Sequence, residues 1–457
     1  MPQPRGPRTM GMPLPLFEGG HSKLHLYVDE QHRDLGDVFQ DQIAPDSESI
    51  VFVADPVEMR RTFGLEGKYP LHLVPESWTV YNKAYGCQRG LFFMDGEEWL
   101  NMRRVMNRLM LKPEANIFSA PCQHVANALV SQWQHENTTE IQNLEEQLYK
   151  WSLDTVVAVM IGTNYEAHAG KWNGIISQLA SDIHSIFLES AEMSSMSAKV
   201  ARDEDKPVWR RFKKSVDVSL STARSLLREM ISVCSASPSG LLSDMQDAEL
   251  SEEEIMKVVV DLILAAGDTT AMSLQWTLFL LAKNPDVQES ISAKIRNKTD
   301  TLHPALLRGV VREALRLYPV APFLIRIVPE QCVIGGYELP PNKLVFLSLY
   351  TSGRDPKNFP EPEKFWPERW LREISNDNEN SSGAYIAVKN SYASMPFAMG
   401  ARSCIGRKLA ETQMITTLAS ILKQFKLELL NANDIEMVMR MVAVPSEPIR
   451  LRLKHHQ

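Results

Sequence analysis

Ten residues, Phe397, Ala398, Met399, Gly400, Ala401, Arg402, Ser403, Cys404, Ile405 and Gly406, constrain this chain more than any other stretch. They place one cysteine at the mouth of a helix, between two glycines and two positions after an arginine. Beyond Gly406 the apolar residues Leu409, Met414, Ile415, Leu418, Ile421, Leu422 and Phe425 recur every three or four positions, which predicts a helix starting at or just after Cys404. The first amide N–H groups of a helix lack intrahelical partners, and with the positive end of the helix dipole they favour thiolate over thiol. The thiolate is the metal-binding form. Gly400 admits a turn that a side chain would obstruct, and Gly406 lets backbone approach a flat ligand closely. Arg402 suits a carboxylate on the rim of that ligand. A haem meets each demand, with iron for the sulfur, propionates for the arginine and a porphyrin face for Phe397.

The other cysteines, Cys87, Cys122, Cys234 and Cys332, read as small buried hydrophobes. No CxxC pair or zinc-type cysteine-histidine spacing occurs, and scattered cysteines in so long a chain do not make a secreted disulfide framework. The pattern Phe-x-x-Gly-x-Arg-x-Cys-x-Gly resembles the haem-binding signature of the cytochrome P450 family without a departure. That resemblance implies a mainly α fold with small β-sheets (α+β), in one domain, with haem b between a long oxygen-binding helix and the cysteine-loop helix. It implies Cys404 as axial ligand of the haem iron and O2 as co-substrate.

Further motifs bear on the same resemblance. Ser251 and Glu254 form a capping box that opens a helical run ending at Lys283-Asn284-Pro285, one helix of roughly 50 Å. Inside it stand Ala265-Ala266-Gly267-Asp268-Thr269-Thr270, where a glycine and β-branched hydroxyl residues cost helix propensity. In the family the matching acid and alcohol open the helix locally and relay protons to the dioxygen being activated, a role the resemblance carries onto Asp268 and Thr269. Ala266 stands where glycine is commoner, which narrows the oxygen groove slightly.

Glu313 and Arg316 lie at i, i+3 on a predicted helix, a pairing worth only tenths of a kcal/mol at a surface. Their position between the long helix and the cysteine loop matches the family, which joins them to an arginine from a Pro-Glu-Arg segment, here Arg369. Trp99 and Arg103, four apart, match a propionate-binding Trp-x-x-x-Arg, and Arg326 matches a further propionate-pairing arginine.

Length alone allows two or three domains, yet no Gly/Ser linker or repeat divides the chain and the haem motifs span 99–406, so 19–457 reads as one domain. Residues 1–18 are a proline-rich segment with Arg5 and Arg8, read as a short start or the remnant of a transit peptide. Strand signals are confined to 49–53, the hairpin-like 332–350 with Gly335-Gly336 and Pro340-Pro341, and 437–453. The polar run 375–382 reads as a surface loop.

No run approaches the ~20 apolar residues of a spanning helix, so no transmembrane helix is expected, and the resemblance implies at most a peripheral association with the mitochondrial inner membrane. Mitochondrial members of the family carry basic residues, usually lysines, where Arg308 and Arg312 precede Glu313, and use them to dock an acidic ferredoxin fed by an NADPH-dependent reductase. Arg308 and Arg312 share one face that reads as exposed, and Arg407 and Lys408 extend the positive patch. With a net charge of −7, a local patch must do any steering, and no nucleic-acid partner is expected. Segments 87–94, 144–152, 347–351 and 440–445 resemble the insect mitochondrial ecdysteroid 2-hydroxylases. This implies hydroxylation at C2 of 2-deoxyecdysteroids on the matrix side of the inner membrane.

Phe92, Phe93, Leu264, Ala265, Val320, Phe323 and Val442 are candidate walls of the steroid cavity, with plain core packing an equal reading for each. Other readings are a mitochondrial hydroxylase of another steroid or a xenobiotic, a haem-thiolate isomerase or dehydratase, and a non-catalytic haem sensor. Isomerases usually lose the acid-alcohol pair, and a sensor has little use for a docking face.

Overall fold

Residues Ile50–Val53, a run of β-branched and aromatic side chains, form a strand buried on both faces, and one of two compact units is built around it. In the computed structural model the first unit comprises Met1–Leu73, Pro304–Cys404 and Glu436–Ser446, and the second Val74–His303, Ile405–Ile435 and Glu447–Gln457. The described residues are 1–457 except 7, 10–11, 14–15, 17–20, 44–47, 112–115, 136–139, 194–195, 298–302, 374–383, 432–434 and 457. The polar run 375–382 and part of the proline-rich start therefore lie outside them.

In the first unit four strands run in the order Val38–Asp41, Ile50–Val53, Lys343–Ser348 and Phe323–Val328, paired antiparallel, parallel and antiparallel. Period-two alternation divides their side chains between two cores. Val51, Val53, Val345 and Leu347 pack with Met59 and Phe63 of helix Pro56–Gly64. Phe52, Phe323 and Phe346 pack on the other side with Leu24 and Val28 of helix Leu24–Leu35. Burying each such side chain contributes about 1.5–3 kcal/mol. Leu16, from the proline-rich start, joins this second core.

The hairpin expected in 332–350 is smaller than its sequence signal. Cys332–Ile334 pairs with Tyr337–Leu339 across Gly335 and Gly336, whose φ angles of 56° and 82° suit the tight turn. Lys343–Ser348 instead enters the larger sheet, because its Val345 and Leu347 complete the core under Val51 and Val53. The strand signal in 437–453 resolves into Met437–Met439 with Ala443–Pro445 in the first unit and Leu451–His455 in the second.

The second unit is a helical bundle. Its longest member, Glu252–Lys283, starts as predicted: Ser251 Oγ accepts the Glu254 N–H at 3.3 Å while a Glu254 carboxylate oxygen accepts the Ser251 N–H at 2.8 Å. It packs against Leu144–Ile161, which is buried along all of 151–161. Gly267 has a packing reason: a Cβ there would lie 3.3 Å from Ile183 Cγ2, on helix Tyr165–Met193, and 3.5 Å from Leu153 Cδ2. Closer helix packing offsets the lost propensity. The helix after the cysteine loop spans Arg407–Gln424 and stops one residue short of Phe425. From there the period changes to two, and Phe425–Leu429 pairs with Leu451–His455.

Candidate functional site

The cysteine loop of the first unit is a series of tight turns. Ala398 and Gly400 sit at positive φ, 57° and 78°, Ser403 N donates to Gly400 O at 3.2 Å, and Cys404 N donates to Phe397 O at 2.9 Å. At Gly400 the positive φ strains any other residue, and a Cβ would lie 2.8 Å from Glu66 Oε2, so a side chain there would also have to displace that carboxylate. Of the five cysteines Cys404 is exposed, whereas Cys122 and Cys234 are buried and Cys87 and Cys332 half-buried. Burial pushes the Cys122 thiol up to about 12, as expected of an inert sulfur. Cys87 departs from that reading, because Arg224 Nη2 lies 3.6 Å from its sulfur.

Of the expected propionate partners, Arg402 belongs to this loop and Arg326 touches it. Arg326 Nε bonds the buried Glu66 carboxylate and its Nη2 donates to Met399 O at 3.5 Å, while Arg402 Nε donates to Pro70 O at 2.7 Å. Burial raises the pKa of Glu66, opposed by the charge of Arg326 and its hydrogen bond and then by Arg402. Sequence reasoning missed Glu66, whose contacts come from residues far along the chain.

Glu313, Arg316 and Arg369 are fully enclosed together. Arg316 donates to both oxygens of Glu313 at 2.8 and 2.9 Å, Arg369 Nε donates at 2.8 Å, and Trp370 Nε1 and Trp366 N add bonds of 2.8 and 3.1 Å. The guanidiniums also donate to carbonyls, among them Gly353 and Pro362 from Arg316 and Pro360 and Glu361 from Arg369. Such saturation lets a buried charge cluster persist. On the same helix, His303–Leu317, Arg308 is exposed. Arg312 differs from the fully exposed residue expected. It is half-buried, with Nη1 donating to the Tyr385 hydroxyl at 2.7 Å and its guanidinium 5.8 Å from the Trp370 ring centre, because two aromatic rings offer it a cation-binding wall.

Among the candidate walls in this unit, Phe323 packs at a tilt against Phe346 in the core, with ring centres 5.7 Å apart, so packing accounts for it. Val320 and Val442 lie close through the Ala443 N–H, which donates to Val320 O at 2.9 Å.

In the second unit the long helix is buried over most of its second half, yet Ala265 and Thr269, one turn apart, are exposed. Leu264 and Asp268 beside them are buried. The helix runs unbroken here rather than opening. Thr269 Oγ1 donates to Ala265 O at 2.9 Å and Ser273 Oγ donates to Thr269 O at 2.7 Å, back-bonding that bends helices without breaking them. The buried Ser152 hydroxyl donates to Ala266 O at 2.8 Å, and Gln413 Nε2, on the helix after the cysteine loop, donates to Ser152 Oγ at 3.4 Å. This polar chain under Ala266 left no signal in the sequence. Trp99 and Arg103 lie buried on one face of helix Gly96–Met110, with Arg103 Nε donating to Asn107 Oδ1 at 2.8 Å. Phe92 is 49% exposed and packs edge-on against Phe93 at 5.1 Å. Gly406 is the N-cap of helix Arg407–Gln424, without a side-chain cap bond. Arg407 is exposed, with Nε 3.4 Å from Glu411, and Lys408 is half-buried.

These residues fit a haem. The sulfur sits exposed on a constrained loop, the half-buried Arg402 stands two residues before it, and Ala265 and Thr269 are exposed on the long helix. Among the described residues no group of three or more His, Cys, Asp or Glu is placed to hold a metal ion. A single sulfur donor suits an iron already ringed by porphyrin nitrogens.

The sequence model of the cytochrome P450 family matches residues 2–453. Cytochrome P450 315a1, mitochondrial, of Drosophila melanogaster is 35% identical over 98% of this chain and 88% of its own length. The mitochondrial sterol 26-hydroxylase of Rattus norvegicus is 30% identical over 86% of this chain and 77% of its own. For the mitochondrial cholesterol side-chain cleavage enzyme of Oncorhynchus mykiss the figures are 29%, 95% and 86%.

Proposed function

This chain belongs to the cytochrome P450 family, and on that premise we propose that it hydroxylates C2 of 2-deoxyecdysteroids in mitochondria with electrons from a ferredoxin. It is an α+β cytochrome P450 monooxygenase of the mitochondrial class that uses haem b and O2. The haem supplies dioxygen activation and, through a thiolate ligand, the electron push that favours O–O cleavage. Cys404 supplies that thiolate from a loop whose turns hold the sulfur at the surface of its unit. Trp99, Arg103, Arg326 and Arg402 bind the propionates, with Phe397 and Gly406 against the ring. Glu313, Arg316 and Arg369 act behind the loop as positioning residues.

Thr269 moves a proton. Its hydroxyl, bonded in the resting helix to Ala265 O at 2.9 Å, would hold the proton to be delivered, and the neighbouring Asp268 would resupply it. Ala265 leaves room for this exchange, while Leu264, Val320 and Val442 exclude water and hold one C–H in place. Arg308 and Arg312, with Arg407 and Lys408, bind the acidic ferredoxin, itself reduced by an NADPH-dependent reductase. Residues 19–457 work as one catalytic domain attached peripherally on the matrix side of the inner membrane. No helix among the described residues is long and apolar enough to cross a membrane.

Steroid as the substrate class is supported by the two relatives named for sterols. The observation that carries C2 is the likeness of segments 87–94, 144–152, 347–351 and 440–445 to insect ecdysteroid 2-hydroxylases. Reconstitution with ferredoxin, its reductase and NADPH on 2-deoxyecdysone tests it, with the new hydroxyl located by NMR. A hydroxyl at another carbon, or turnover confined to other steroids, would overturn the C2 assignment.

A further inference from the structure

Arg89, in the second unit, is a buried charge that none of these roles uses. Arg89 lies between helices Glu76–Tyr85 and Gly96–Met110, is 8% exposed, and stands 4.5 Å from the Trp78 ring centre and 4.3 Å from that of Phe93. Its Nε donates to Asp261 Oδ1 at 2.7 Å, and the Gly90 N–H donates to the other oxygen of the same carboxylate at 2.7 Å. The chain presses so closely on the long helix that a Cβ on Gly90 would lie 2.5 Å from Lys257 O. Loop and helix are thereby held in one register. Nη1 of Arg89 remains, buried and without an acceptor among the described residues. A desolvated guanidinium N–H is costly to leave so, and such atoms mark places that a ligand or water completes.

The long helix indicates which ligand. Asp261, Ala265 and Thr269 succeed one another at four-residue spacing, so they lie along one side of it, and the latter two are the exposed positions between 254 and 282. Eight residues of rise separate the Asp261 anchor from Thr269 by about 12 Å, comparable with a steroid nucleus. Resting on the steroid-hydroxylase reading, we propose that Arg89 is a specificity-determining residue whose Nη1 donates a hydrogen bond to a hydroxyl or carbonyl oxygen of an oxygenated steroid, remote from the carbon that reacts. A guanidinium only donates, so it selects acceptor oxygens, and a hydrocarbon at the same place leaves its N–H unpaired.

The test is titration of the purified haem-loaded protein with 2-deoxyecdysone, cortisol and cholesterol, read from the shift in haem absorbance. Wild type is compared with Arg89→Lys and with the double variant Arg89→Met, Asp261→Asn, which leaves no orphan carboxylate. Far-UV circular dichroism checks folding. Wild type prefers an oxygenated steroid to cholesterol. The double variant loses about tenfold in affinity for that steroid, the effect of one charge-assisted hydrogen bond, and binds cholesterol within twofold of wild type. Arg89→Lys, which keeps a cation opposite Asp261, falls between.

Equal losses for all steroids would make Arg89 a structural clasp, and unchanged affinities would assign Nη1 to water; either overturns the proposal. The two readings fail separately. C2 hydroxylation by wild type with the steroid preference intact in the double variant removes Arg89 alone. An Arg89-dependent preference for cortisol, with 2-deoxyecdysone ignored, removes the C2 reading and leaves Arg89 in place.

Discussion

Replacing Glu313 by glutamine keeps the shape of the residue and removes its charge, in a site with no solvent to compensate. The carboxylate accepts five hydrogen bonds, three on Oε1 from Arg316 Nη2, Arg369 Nε and Trp366 N, and two on Oε2 from Arg316 Nε and Trp370 Nε1. A glutamine best keeps the first set and turns its NH2 towards the second, so two bonds are lost and N–H groups face each other. Hydrogen bonds to charged groups are worth about 1.5–3 kcal/mol each, giving roughly 3–6 kcal/mol, in line with about 3–5 kcal/mol for breaking a buried ion pair. Against a total stability of about 5–15 kcal/mol this is a large fraction, so the unfolding midpoint should fall well below that of wild type. Removing all three charges is not expected to rescue it, since the carbonyls of Gly353, Pro360, Glu361 and Pro362 would lose their guanidinium donors. The assay is urea unfolding followed by far-UV circular dichroism and by the ferrous-CO spectrum. Glu140→Gln, at an exposed pair with Arg450, serves as control and should move neither midpoint. A Glu313→Gln protein within about 1 kcal/mol of wild type would refute the reasoning.

Cys404→Ala should abolish the long-wavelength ferrous-CO band of a thiolate-ligated haem, and its retention would mean that another residue ligates iron. Thr269→Ala should raise oxygen consumed per product formed, on the order of tenfold, with substrate binding unchanged; intact coupling would remove the hydroxyl from the proton path. His25 is buried, and burial first and the Arg354 charge next lower its pKa from 6.5 to about 4. The fold thus holds the neutral ring, and stability intact above pH 6.5 declines by about 3 kcal/mol as pH falls to about 4. His25→Leu should lessen that slope in urea midpoints, with His32, also lowered by burial, carrying the remainder; an unchanged slope counts against the assignment. Arg308→Glu should raise the apparent KM for ferredoxin severalfold and leave steroid affinity alone, whereas Arg312→Glu should also destabilise the protein because Tyr385 and Trp370 hold that side chain. Equal ferredoxin kinetics would return Arg308 to an ordinary solvated residue.

Helix starts were readable wherever the chemistry is local. Ser251 and Glu254 signal each other over three residues, and the structure forms their reciprocal bonds. Strands were less legible: 323–328 carries Arg326 within its apolar run, and 38–41 mixes Val38 and Phe39 with Gln40 and Asp41, so neither shows plain alternation. Phe425 continued a helical period by residue type, yet its pairing with His455 makes it the first residue of a strand. Gly267 read as a functional oddity in a helix, and contact with Ile183 and Leu153 supplies a packing cause.

By itself the sequence determined which residues could present a sulfur on a tight loop, where the long helix begins and ends, and that an acid and an alcohol lie within it. These depend on spacing over a few residues, where covalent geometry limits what neighbours can do. Tertiary structure alone decided that Arg326 meets Glu66 across 260 positions, that Ser152 supports Ala266, and that Arg89 meets Asp261 across 172. A charge or hydroxyl carries no mark of its partner until folding removes both from water, and only then does the cost of an unpaired group select one contact among many.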